Sequence, residues 1–324
     1  MSILVTGAAG FIGAHVARAL LARGDVVVGV DNFNDYYDPQ LKHDRVAALC
    51  PGLDLRRMDI GDKAAFDTLF AELKPRRVVH LAAQAGVRYS LQNPYAYLHS
   101  NLLGFLNVLE AARAHPVEHL VYASSSSVYG GNALTPFDEA QKVDQPLSLY
   151  AATKASNELM AHCYAHLYRT RCTGLRFFTV YGPWGRPDMA PLLFSRAVLA
   201  GRPIDVFNHG RMRRDFTYID DIVAGVLGAL DAVPADDGSR PPCDVYNLGN
   251  HQPVELEHFI AVIEQAAGKP AIRVNKPMQA GDMPETSAEV SRAQAAFGFR
   301  PETRIDTALP GVVAWCRDYF GTRL

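Results

Sequence analysis

Tyr150 and Lys154 stand four residues apart in LYAATKASNELM, a spacing that puts both side chains on one face of a helix with the ammonium near the phenol. A nearby cation favours the phenolate. A tyrosine that ordinarily titrates near ~10 is thereby brought toward use as a base. Taken alone, such a pair is more often a packed ring beside a solvated amine. Its context is the run Ser124, Ser125, Ser126 and Ser127 that ends HLVYASSSSVYG. This run falls at the carboxyl edge of an expected parallel strand, where open α/β sheets bind ligands. Hydroxyls there can bridge a substrate oxygen to the phenol. A flexible polar loop is the other reading of four serines, and it fits poorly between an apolar strand and Val128-Tyr129.

A second constellation lies at the start of the chain. Directly after the apolar run SILVT come Gly7, Gly10 and Gly13 in GAAGFIG. Gly7 allows a tight turn, Gly10 lets the backbone approach a pyrophosphate, and Gly13 permits close helix packing. The N-terminus of the helix that follows offers unpaired N–H donors to the anion. Phe11 and Ile12 belong to the same turn. Asp31 closes the next expected strand, where a carboxylate can accept hydrogen bonds from ribose hydroxyls. It would repel a 2′-phosphate, so the combination favours NAD over NADP, and the positive nicotinamide ring would lower the Tyr150 pKa further. Lys154 can also hold the nicotinamide ribose. A solvated turn carboxylate beside Asn32 and Asp35 is the alternative for Asp31.

These residues need a scaffold. Short β-branched runs (SILVTG, VVVGVD, RRVVHLAA, HLVYASS) alternate with longer helical stretches, the first from about Phe11 to Arg23. That alternation argues for an α/β fold with a doubly wound parallel sheet. Apolar positions recur at helical spacing from Tyr95 to His115 and from Tyr150 to Arg169, and a further helix is expected from Asp220 to Ala232. After LRFFTVYG the texture turns to loops rich in Pro, Gly and Arg. We therefore expect residues 1–179 to form a cofactor-binding domain, with a returning segment near 215–247, and residues 180–324 to form mainly a smaller mixed substrate-binding domain. PADDGSRPPC at 234–243 reads as an exposed loop.

The bulk properties narrow the partners. Thirty-two Lys and Arg against 34 Asp and Glu give a formal charge of -2, leaving no global field for nucleic acid or an acidic membrane. Five cysteines without a CxxC pair fit neither a disulfide framework nor a zinc site, and imply a reducing cytoplasm. The apolar first 22 residues are read as a glycine-rich turn rather than a signal peptide. No stretch approaches the roughly 20 uninterrupted apolar residues of a membrane span. No metal is expected.

GAAGFIG, the serine strand and YAATK, in this order and spacing, resemble the extended short-chain dehydrogenase/reductase family along essentially the whole chain. The resemblance implies a Rossmann-type fold, NAD as cofactor and homodimers formed through two helices per subunit. It implies catalytic roles for Tyr150, Lys154, Ser125 and Ser127, the last two lying 25 and 23 residues before the tyrosine. It further places Asn32, Asp59 and Ile60 at the adenosine, Leu81, Ala82, Ala83 and Phe177 along the cofactor, and Asn101 steadying it from the following helix. The family's nucleotide-sugar dehydratases carry an Asp-Glu pair where Ser126 and Ser127 stand here, so dehydration is not expected.

FNDYYDPQLK, AGVRYSLQNP and FFTVYGPWGRPDMAP resemble the family's UDP-glucuronate 4-epimerases. That likeness implies a UDP-hexuronic acid substrate oxidised at C4, turned over and reduced again. Such a substrate calls for cations at its carboxylate and diphosphate. Arg186, helped by Thr179 and Ser127, is expected at the carboxylate, with Arg88 and Met189 bordering the sugar. A salt bridge or packing role is the alternative for either arginine. NHGRMRRDFTYIDD resembles the family's UDP-binding stretch, implying Arg214 and Asp282 at the diphosphate and Val206 and Phe207 at the uracil, with Arg211 and Arg213 solvated. Two positions depart from galactose-type epimerases: Gln279 stands where they carry arginine, and Thr179 where they carry asparagine. UDP-glucuronate decarboxylation and 4-epimerisation of another UDP-hexose are the rival chemistries, and a non-catalytic NAD sensor the rival class.

Overall fold

The computed structural model of the chain describes residues 2–132, 134–278 and 282–321. Six parallel strands come first: β1 (Ser2–Thr6), β2 (Val26–Asp31), β3 (Asp54–Arg57), β4 (Arg77–His80), β5 (His119–Ser125) and β6 (Cys172–Phe177). Between them run α1 (Phe11–Ala22), α2 (Pro39–Leu49), α3 (Lys63–Leu73), the short α4 (Tyr89–Gln92) and α5 (Pro94–Tyr97), then α6 (Gly104–Ala114) and α7 (Leu149–Tyr168). The remainder contributes β7 (Thr179–Tyr181), α8 (Ala190–Leu199), β8 (Pro203–Phe207), β9 (Arg213–Arg214), β10 (Phe216–Tyr218), α9 (Ile219–Asp231) and β11 (Cys243–Leu248). It ends with β12 (Val254–Glu255), α10 (Leu256–Ala267), β13 (Ile272–Lys276), α11 (Ser291–Phe297) and α12 (Ile305–Phe320).

Seven strands form one parallel sheet in the order β11-β6-β5-β4-β1-β2-β3. Strand residues alternate between two cores, as a period of two requires. Ile3, Val5, Val79 and Val121 face α1 and α9, while Leu4, Val78 and Leu120 face α3 and α6. Apolar residues on both faces are what a doubly wound Rossmann-type sheet demands. The chain beyond Tyr181 is shared out: α9 packs on α1, β11 adds the outer strand beside β6, and α11 packs on α9. The rest builds a separate core, in which Leu192, Val198, Phe259, Ile263, Leu309 and Val313 of α8, α10 and α12 pack over the β8–β13 ladder.

One expected helix is interrupted. Residues 95–114 are helical, but Leu98–Leu103 winds as a π turn. The wider turn lets the Asn101 side chain accept from Gln84 N (2.8 Å) and donate to Gln84 O and Thr153 Oγ1 (both 3.0 Å), while Asn157 Nδ2 donates to the Asn101 carbonyl. Single π turns of this kind gather where a site needs a side chain out of helical register. Residues 235–240 are exposed in the connection between α9 and β11. Among the described residues no helix is long and apolar enough to cross a membrane.

Candidate functional site

The strand order reverses between β1 and β4, and a cleft of about 890 Å³ opens at the carboxyl ends of the strands there. Its floor is the glycine turn. Gly7 has φ +71°, and a Cβ there would lie 2.7 Å from Ala82 N; a Cβ on Gly13 would lie 2.0 Å from the Gly7 carbonyl. Neither position admits a side chain. No side chain caps α1, so its first N–H groups face the cleft free for an anion. Asp31 is buried at the end of β2 and accepts from Phe33 N (2.8 Å), Ala9 N (3.2 Å) and Lys42 Nζ (3.2 Å).

Phe11, Ile12, Asn32, Ile60, Leu81, Ala82, Ala83 and Phe177 all line the cleft. Asp59 and Asn101 do not. Asp59 accepts from Asn32 Nδ2 at 3.0 Å and Gly61 N at 2.7 Å, shaping the turn between Met58 and Ile60. Asn101 acts one layer back, through Gln84, which is itself on the wall.

Ser125, Ser126, Ser127, Tyr150 and Lys154 meet on the opposite wall. Ser127 N and Oγ lie 3.2 and 3.0 Å from Ser125 Oγ, and the Ser125 hydroxyl acts on the Tyr150 phenol to favour its ionised form. The electrostatics differ from the expectation that the ammonium brings Tyr150 down. Burial raises the phenol's pKa, opposed by the Ser125 hydroxyl and by the charge of Arg186. Lys154 instead donates to the Ala123 carbonyl at 2.8 Å, and burial lowers its pKa to about 8. That donation uses one of the ammonium's three N–H groups, and the charge of Arg186 also bears on the phenol. One helical turn beyond Lys154, buried Glu158 accepts from Ser124 Oγ (2.5 Å) and from Arg176 Nε and Nη2 (2.9 and 2.7 Å). This pair anchors the serine strand to α7.

Arg186 is not free. Its Nε and Nη2 meet the two oxygens of Asp188 at 3.1 and 2.5 Å, and the Tyr36 hydroxyl donates to Asp188 at 2.9 Å. Burial pushes the Asp188 carboxyl up, but Arg186 and Tyr36 more than offset it and hold it below the usual range. Thr179 and Met189 stand on the same wall. Arg88 lies with its guanidinium 5.2 Å from the Phe207 ring centroid, so it bridges the two sides of the cleft. Arg214 donates to Asp282 at 2.7 Å, and burial lowers its pKa. Val206 does not reach the cleft: it is fully buried in the second core, because β8 alternation sends Phe207 outward and Val206 inward. Arg211 is exposed and Arg213 pairs with Glu285. Gln279 lies outside the described residues.

Several participants escaped the sequence reading: Tyr36, Lys42, Asp188, Glu158 and Arg176. Tyr36 and Lys42 fall inside FNDYYDPQLK and Asp188 inside GRPDMAP, so the segments carried a signal although the residues did not. Among the described residues, no group of three or more His, Cys, Asp or Glu could hold a metal.

Comparison with known proteins agrees with this geometry. Residues 3–249 match the NAD dependent epimerase/dehydratase family. The UDP-glucuronate 4-epimerase 2 of Arabidopsis thaliana is 49% identical, covering 99% of this chain and 76% of its own length. A probable UDP-glucuronate 4-epimerase of Rhizobium meliloti is 48% identical, covering 97% of this chain and 96% of its own. A solved UDP-glucuronic acid 4-epimerase from Bacillus cereus, in complex with UDP-glucuronic acid and NAD, superposes with a TM-score of 0.90 at 31% identity, covering 98% of this chain and all of that one. The chain therefore belongs to the NAD dependent epimerase/dehydratase family, within the extended short-chain dehydrogenase/reductases.

Proposed function

We propose that this protein interconverts UDP-glucuronate and UDP-galacturonate, using NAD without consuming it. The observation that carries the reading is the convergence on one cleft of the Tyr150 phenol, the Ser125 and Ser127 hydroxyls, and a guanidinium, Arg186, that can match a carboxylate. NAD fits the cradle, since Gly7 and Gly13 exclude any Cβ and the N-terminus of α1 is uncapped. Asp31, Asn32, Ile60, Leu81, Ala82, Ala83 and Phe177 would hold it, with Lys154 at its second ribose. When bound, NAD supplies the acceptor and later the donor of the C4 hydride.

Tyr150 takes the C4 hydroxyl proton as the ketone forms and returns it on re-reduction. Ser125 and Ser127 hold the reacting oxygen and its neighbour. Arg214, with Phe207 along the uracil, retains the UDP while the hexuronate turns to present its other face. The 4-keto uronate is a β-keto acid, which loses carbon dioxide when its carboxylate bond aligns with the ketone π system. Arg186, Thr179 and Ser127 hold that carboxylate out of alignment.

The division of labour follows the cores: residues 1–179 with the returning α9 and β11 serve the cofactor, and most of 180–324 serves the nucleotide sugar. Exposed Tyr95, Leu98, Leu106, Leu159 and Leu167 give the α5–α6 and α7 faces an apolar surface, which supports a homodimer through these two helices. Free cysteines fit a reducing cytoplasm. The test is a proton NMR time course with UDP-glucuronate. UDP-galacturonate signals are expected, and a UDP-pentose in their place would sink the proposal.

A further inference from the structure

Behind the cleft wall lies a fully buried guanidinium. Arg45, on α2, donates Nη1 to the Ala9 carbonyl at 2.6 Å and to the Tyr37 hydroxyl at 3.2 Å, Nε to the Trp184 carbonyl at 2.9 Å and Nη2 to the Gly185 carbonyl at 3.4 Å. Among the described residues its hydrogen bonds run to three carbonyls and a phenol, none to a carboxylate. A cation is costly to bury without an opposite charge.

The positions of its partners give it a purpose. Ala9 sits within the glycine turn, between Gly7 and the residue that opens α1. Trp184 and Gly185 lead directly into Arg186. Trp184 has φ +63°, the left-handed region that a bulky residue avoids unless its surroundings hold it there. A planar fork of donors can fix several peptide planes at once, which a lysine cannot do.

We propose that Arg45 is a positioning residue that ties the pyrophosphate turn to the loop carrying Arg186. Its charge lies immediately behind the turn, where the cofactor's diphosphate completes the compensation that three carbonyls begin. Its geometry holds the Trp184–Gly185 backbone so that Arg186 reaches the sugar at a fixed angle. The Arg186 half rests on the function proposed above; the cofactor half does not.

Arg45→Met and Arg45→Lys, purified as they fold, separate the two halves. Bound NAD per chain is measured after acid release, alongside KM, kcat and the UDP-pentose fraction with UDP-glucuronate. Arg45→Met is expected to lose most of its NAD, and its remaining holoenzyme to show KM raised about tenfold, the scale of one lost charge-assisted bond, with kcat less affected. Arg45→Lys keeps the charge but not the fork. It should retain NAD, yet raise KM and release UDP-pentose as the methionine variant does. Wild-type NAD content in Arg45→Met overturns the electrostatic half. Wild-type KM and product ratio in Arg45→Lys overturn the positional half, and if the methionine variant does not fold, loss of NAD from Arg45→Lys, which keeps the charge, overturns the electrostatic half. If the wild type does not turn over UDP-glucuronate, the function fails instead, and NAD content still reads on Arg45.

Discussion

Removing the Lys154 ammonium should stabilise the fold at neutral pH while abolishing turnover. Lys154 is 2% exposed, and burial lowers its pKa from 10.5 to about 8, with Glu158 acting in the opposite sense. Between those values the unfolded chain binds a proton that the native protein has released. Stability therefore rises with pH across the window, and the penalty is fully present below it. The lowering corresponds to about 3 kcal/mol near pH 7, shrinking to about 1 kcal/mol near pH 10. Lys154→Met keeps most of the stem's packing and carries no such dependence. Urea unfolding of both proteins at the two pH values, with equal NAD, gives the difference in unfolding free energy. It should move in the wild type's favour by about 2 kcal/mol on going to the higher pH. Packing and cofactor effects that do not vary with pH cancel in this comparison. A difference that stays flat would refute the view of Lys154 as a buried ammonium held at a cost.

Tyr150→Phe should lower kcat by about 10²–10⁴-fold with little change in KM, since it removes the proton acceptor and leaves the binding groups; steady-state kinetics showing undiminished turnover would remove Tyr150 as the base. Arg186→Met should raise KM for UDP-glucuronate by about 10–100-fold and let a UDP-pentose accumulate in the NMR time course; a wild-type KM and product ratio would mean that Arg186 serves Asp188 alone. Glu158→Gln leaves the Arg176 guanidinium buried without its anion, at a cost of about 3–5 kcal/mol. Thermal unfolding should show it as a drop of several degrees, and an unchanged midpoint would argue that the Tyr129 ring, its centroid 4.8 Å from the guanidinium, suffices to hold Arg176.

The sequence by itself determined whatever depends on spacing within one element and its flanking turn. Three glycines between a strand and a helix, a tyrosine and lysine one turn apart, and a run of serines ending an apolar strand each carry their geometry locally, and β-branched runs alternating with helical stretches prescribe a two-faced parallel sheet. The same local logic, applied to β8, separates Val206 from Phe207 once the strand is known. Tertiary structure alone decided which charges meet. Arg45 finds Trp184 139 residues away, and Tyr36 finds Asp188 at a separation of 152. Glu158 pairs with Arg176 from a different element, and Arg88 lies over Phe207 across the cleft. The direction of the Tyr150 pKa shift belongs to the same class, because burial raises it against the lowering by Ser125 and Arg186. Hydrogen bonds and desolvation act over a few ångströms in space, and only the folded chain brings such distant residues within that range.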